Sequence, residues 1–148
     1  MKNIPEYLII HTEASPSIIN TPRFAEVNAY HKQRGFDKSS LGFFVGYHYF
    51  IEKTGKLIQS RADTDEGMHT IGCNLKSLAI CMAGNHDLEM PTPAQVESLK
   101  KLLIEKMREY GIPKSKILPH RAFLQHQEKT CFGSLLKDDW AQKLVYPD

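Results

Sequence analysis

The stretch TPAQVESLKKLLIEKMREYG, residues 92–111, constrains the fold more than any other part of the chain. Thr92 is suited to cap a helix, Pro93 to the first helical position where no backbone donor is needed, and Gln95 completes a capping box with Thr92. Val96, Leu99, Leu103, Met107 and Tyr110 then recur at helical spacing, and Gly111 supplies the stop. An amphipathic helix over Thr92–Tyr110 is expected, and other elements must cover its apolar stripe.

Those elements are short. YLIIH, Tyr7–His11, is an apolar run cut off by polar TEASPS, which suits a central strand rather than a helix. SLAICM, Ser77–Met82, reads as another buried strand. GYHYFIEKTGKLIQS gives two more, Tyr47–Glu52 and Lys56–Gln59, joined by a tight turn at Thr54-Gly55. Thr21–Arg34 places Phe24, Val27 and Tyr30 at helical spacing ahead of Gly35, and a last helix over Leu135–Val145 carries Trp140. Strands and helices interleave without repeat, linker or low-complexity segment, so one α/β domain over residues 1–148 is expected. A chain of 148 residues can bury roughly 68–70% of its unfolded surface, so it needs no staples.

Charge and cysteine usage exclude several function classes. Lys+Arg number 19 against 17 Asp+Glu, a net charge of +2 with no long basic run, which sets nucleic acid aside. The apolar run YLII is too short for a signal-peptide core, and no apolar stretch approaches the ~18 residues of a membrane span. Cytoplasmic synthesis without membrane insertion is expected. Cys73, Cys81 and Cys131 are odd in number and lack CxxC spacing, which points to a reduced protein without a disulfide framework.

The segment HQEKTCFG, residues 126–133, gathers His126, Lys129 and Cys131 shortly after His120. Three readings fit these residues: a disulfide half, a thiol nucleophile with a histidine base, or part of a metal site completed from elsewhere. Catalytic zinc takes three protein ligands and keeps a fourth position open. No HExxH is present, so such a site would need His11 at its strand end, His120 after ILP and Cys131 to converge. Singly, a strand-end histidine is more often a hydrogen-bonded structural residue, and a lone cysteine a small core residue.

The order YLIIHTEAS, VGYHYFIEKTGKLIQSR, GMHTIGCNLKSLAICMAGN and LPHRAFLQHQEKTCFG resembles the type 2 N-acetylmuramoyl-L-alanine amidases, the family of zinc-dependent phage lysozymes and peptidoglycan recognition proteins. The resemblance runs from about residue 7 to 145. It implies a mixed central β-sheet flanked by helices, with Zn2+ in a groove that takes the peptidoglycan stem peptide. By position it makes His11, His120 and Cys131 the zinc ligands, Tyr47 and Lys129 the catalytic pair, and His69 and Asn74 substrate contacts in the groove. Tyr47 would orient or deprotonate the attacking water, and Lys129 would meet charge developing on the carbonyl oxygen.

Two departures accompany the match. The spacing from His120 to Cys131 is eleven positions, longer than usual in the family, which makes His126 a rival ligand; PHR favours His120. CFG also stands where many members have CPG, and Cys81 occupies a strand on which some relatives carry a glutamate. The implied activity is hydrolysis of the amide between muramic acid and L-alanine in peptidoglycan or muropeptides, by a monomer, in the setting of a phage or prophage endolysin. The alternatives are a cytoplasmic muropeptide-recycling amidase and a non-catalytic peptidoglycan-binding module.

Overall fold

Two strands with every residue buried but one organise the molecule. In the computed structural model, which describes residues 2–15, 18–70, 72–123 and 130–145, β1 (Tyr7–Thr12) pairs in parallel with Ser77–Met82, designated β4 below. Parallel strands covered on both faces read as continuous apolar runs, which is how YLII and SLAIC appear in the sequence. The element order is β1, α1 (Phe24–Gln33), β2 (Tyr49–Ile51), β3 (Leu57–Gln59), β4, α2 (Pro93–Tyr110), β5 (Ile117–Pro119) and α3 (Trp140–Val145). The sheet order is β3-β2-β4-β1-β5, parallel throughout except for the β2–β3 hairpin at one edge. It is the mixed sheet flanked by helices that the resemblance implies.

The period of two along each strand sorts the faces. Leu8 and Ile10 of β1, Tyr49 and Ile51 of β2, and Leu78, Ile80 and Met82 of β4 form one cluster with Leu99, Leu102, Leu103 and Met107 of α2 and Ala141 and Val145 of α3. On the opposite face Phe50 and Cys81 pack with Val27 of α1, Val45, and the partly buried Phe24 and Tyr47. His11 lies opposite Cys81 in the register and therefore shares this second face, away from α2. That parity decides which side of the sheet carries the chemistry.

The capping box at Thr92 is present, with Gln95 N–H donating to the threonine hydroxyl at 3.1 Å and the Gln95 side chain accepting from Thr92 N–H at 3.0 Å. Gln95 also donates to the carbonyls of Ile51 and Ala83 and so ties α2 to the ends of β2 and the β4 strand. Three expected element starts move by more than one residue. The first helix begins at Phe24 rather than Thr21, because the Glu52 carboxylate caps it from across the fold, accepting the N–H groups of Arg23 and Phe24. β2 begins at Tyr49 rather than Tyr47, because the His48 ring replaces a ladder acceptor and takes the Ala79 N–H at 3.1 Å. The last helix begins at Trp140 rather than Leu135, since the Leu136 carbonyl is occupied by Arg121. Among the described residues no helix is long and apolar enough to cross a membrane.

Candidate metal centre

β1 delivers His11 to the second sheet face at its C-terminal end, where His11 is 1% exposed. β5, which runs beside β1, is followed at once by a 3-10 turn, His120–Ala122, that brings in His120. The loop after the undescribed residues 124–129 returns Cys131 to the same point. The ligand atoms of His11, His120 and Cys131 all lie within 4.8 Å of one another, and the two imidazole rings are 4.5 Å apart. Parallel neighbours placed at the ends of adjacent strands make this convergence possible although the three residues are distant in the chain.

His11 and Cys131 are each held by neighbours. The Cys131 sulfur accepts the Thr12 N–H at 3.2 Å and lies 3.8 Å from His11 Nδ1, while His11 Nε2 meets His69 Nδ1 at 3.1 Å. His69 Nε2 in turn lies 3.1 Å from the Ser77 hydroxyl, which donates to the Cys73 carbonyl. One tautomer satisfies this line: His11 donates through Nε2, His69 donates through Nε2 to Ser77, and His11 Nδ1 faces the thiol and the second imidazole. Second nitrogens anchored in this way orient metal-ligating histidines. Two imidazoles and a thiol with open space beside them are a donor set suited to catalytic zinc.

The opening is a groove of 740 Å³ lined by the three candidate ligands together with Thr12, His31, Arg34, Tyr47, His69 and Asn74, among others. The Tyr47 ring lies 4.9 Å from the His11 ring and tilted against it, partly open to the groove, and burial beside Cys81 and Cys131 raises its phenol well above the ordinary value. Asn74 accepts the N–H groups of His69 and Thr70 and fixes the turn that presents the histidine. Gly67 has no room for a Cβ because the rings of His69 and His48 close against it. Lys129 and the rival ligand His126 fall outside the described residues.

Sequence reasoning passed over Arg121, His31 and Arg34. Arg121, next in the chain to His120, donates from its backbone to the Cys131 carbonyl at 2.8 Å and from its guanidinium to the carbonyls of Thr130, Gly133 and Leu136, and pairs with Asp138. Asp87 holds the loop from the other side, accepting from Thr130 and from Ser134 N–H. His31 is buried on α1, where its Nδ1 accepts the Gly46 N–H at 2.9 Å. Its signal in the sequence is weak: helical spacing from Val27 on a short helix.

The family described as N-acetylmuramoyl-L-alanine amidase matches residues 1–134 of this chain. The chain belongs to that family. It is 29% identical over 110 residues to the endolysin of Enterobacteria phage T3, covering 71% of this chain and 68% of the endolysin. The solved N-acetylmuramoyl-L-alanine amidase LysC from Clostridium intestinale superposes with a TM-score of 0.72 at 27% identity, over 88% of this chain and 78% of that one. Drosophila PGRP-LB, at 23% identity over 99% of this chain and 83% of its own length, has the same fold with a TM-score of 0.73. In this amidase the His–His–Cys cluster opens onto one groove.

Proposed function

We propose that this amidase is a zinc hydrolase of the endolysin type that cuts the amide between the lactyl group of N-acetylmuramic acid and L-alanine in peptidoglycan. The observation that carries the reading is the convergence of His11, His120 and Cys131 in the groove, their ligand atoms within 4.8 Å. Bound by these three, zinc supplies Lewis-acid activation of water and of the carbonyl under attack.

The chain's own groups do the rest. Ligation needs neutral imidazoles and a thiolate, and the Thr12 N–H favours negative charge on the Cys131 sulfur. His69 holds His11 so that Nδ1 is the nitrogen presented. Tyr47, beside His11, offers a hydroxyl that orients the attacking water, and Lys129 is assigned the developing oxyanion, a contribution of roughly a hundredfold or more in rate. His69 and Asn74 are assigned contacts to the bound peptide from the groove wall. A purely binding module of this fold has no use for a thiol among the ligands, so Cys131 favours hydrolysis.

The test is release of L-alanine-headed peptides from purified sacculi, followed by mass spectrometry. EDTA is expected to abolish release and added zinc to restore it. Full activity in EDTA would remove the metal from the reaction, and comparison with soluble muropeptides separates wall lysis from recycling.

A further inference from the structure

Ser77 opens the β4 strand, fully buried, and stands behind the groove wall rather than on it. Its hydroxyl lies 3.1 Å from His69 Nε2 and 2.6 Å from the Cys73 carbonyl, which also accepts the Lys76 N–H. A serine hydroxyl has one proton to give, and a carbonyl can only accept. At 2.6 Å that proton goes to Cys73, and the serine oxygen is left to accept from His69. The direction of each bond from there to His11 follows from that one choice.

Accepting from His69 requires its proton on Nε2, which leaves Nδ1 unprotonated. Two donors face that Nδ1: the Thr70 hydroxyl at 2.9 Å and His11 Nε2 at 3.1 Å. A proton on His11 Nε2 leaves Nδ1 as the nitrogen with the lone pair, on the side of the Cys131 sulfur 3.8 Å away. The opposite polarity undoes this. With the serine proton turned toward His69, the His69 proton sits on Nδ1 and points at His11 Nε2, and His11 carries its own proton on Nδ1, where it blocks a metal bond. The Cys73 carbonyl would lose a donor at the same time.

The serine is held in place from outside the site. Asn3, itself buried, donates through Nδ2 to the Ser77 carbonyl at 2.8 Å and to the Asp63 carbonyl at 2.9 Å, and accepts the Ser77 N–H at 3.2 Å. We infer that Ser77 is a positioning residue: by giving its proton to Cys73 it fixes the tautomers of His69 and His11, and so presents His11 Nδ1 to zinc. The inference rests on the zinc reading above and extends it to a residue outside the groove.

Nitrogen-15 shifts of the histidine rings in metal-free protein report the tautomers directly, read at about pH 8, where an ordinary imidazole is neutral. His69 and His11 are both expected to carry the proton on Nε2, and a proton on Nδ1 of either overturns the inference without any variant. Ser77→Ala is expected to mix the two tautomers and to weaken zinc binding by about tenfold, the scale on which loss of a group that orients a ligand acts. Ser77→Thr, which keeps the hydroxyl, is expected to restore both. Unchanged zinc affinity in Ser77→Ala, or weaker binding with the tautomers unchanged, also overturns the inference, the second by assigning Ser77 to the scaffold. If the wild-type protein takes up no zinc, the zinc reading fails while the ring shifts still decide for or against Ser77.

Discussion

The Cys131 sulfur receives a backbone N–H from Thr12 at 3.2 Å, an arrangement that a structural thiol in an apolar core does not need and a thiolate ligand does. Cys131→Ala is therefore expected to lose the bound zinc while β1 and the β4 strand, which form the rigid centre, keep their pairing. Elemental analysis alongside circular dichroism checks this, and full zinc occupancy in the variant would take Cys131 out of the site. Tyr47 acts one layer out. Tyr47→Phe keeps the ring packed 4.9 Å from His11 and removes only the hydroxyl, so zinc content should hold while kcat and kcat/KM fall together by about a hundredfold, the scale of a positioned proton donor. Steady-state kinetics on a soluble muropeptide reads this directly, and an unchanged kcat returns Tyr47 to packing. At this scale the sequence was legible through resemblance: spacing alone left Cys131 open among three chemistries, because residues that meet in space are far apart in the chain. Arg34 and His31 were not legible as groove residues, since their role depends on how α1 sits against the sheet.

Strands and the long helix were readable because their signals are local. The Thr92 capping box and the apolar runs of β1 and β4 depend on neighbours in sequence, and they appear in the structure with boundaries moved by a residue at most. Where boundaries moved further, a distant side chain had taken a backbone group: Glu52 at the start of α1, His48 at the start of β2, Arg121 before α3. β5, three residues long, lacks the length to stand out and exists because β1 offers it an edge. The same long-range logic explains how a longer His120–Cys131 connection remains compatible with one metal site. Arg121 joins the two ends of that connection, donating from its backbone to Cys131 and from its guanidinium to Thr130 and Gly133, so the length between them need not disturb the ligands. Arg121→Ala should weaken zinc binding by about 10–100-fold, as loss of groups that orient ligands typically does. Competition with a chromophoric chelator measures it, and the cobalt-substituted protein should show an altered thiolate-to-metal absorption that a general loss of stability would not produce. Wild-type affinity and spectrum would make the clamp dispensable.

At the scale of the whole molecule, three buried histidines outside the candidate ligand set, His31, His48 and His86, bear on how stability responds to acid, each with its pKa lowered first by burial. His31 is 7% exposed and His86 1% exposed, and burial pushes both pKa values down to about 4. The groups facing them do not reverse this: Arg34 and Arg61 oppose protonation of His31, and Lys53 partly cancels Glu89 and Asp87 around His86. A histidine whose folded pKa lies below its unfolded value of about 6.5 binds protons preferentially in the unfolded chain. Its contribution is therefore complete above pH 6.5 and is lost as the pH falls toward 4, with each histidine worth on the order of 3 kcal/mol at most. The carboxylates act lower. Burial works to raise Asp63, but hydrogen bonds from Lys106, Tyr49 and Tyr110 prevail and hold it below the ordinary range, so its contribution persists until the pH falls past the usual carboxylate value. Urea unfolding of EDTA-treated protein, which removes metal release as a cause, should show stability declining between pH 6.5 and 4. His86→Gln should remove part of that slope and leave the part that His31 and His48 carry. A slope unchanged in His86→Gln would mean that His86 does not stay neutral in the folded state, and the acid response would then belong to other groups.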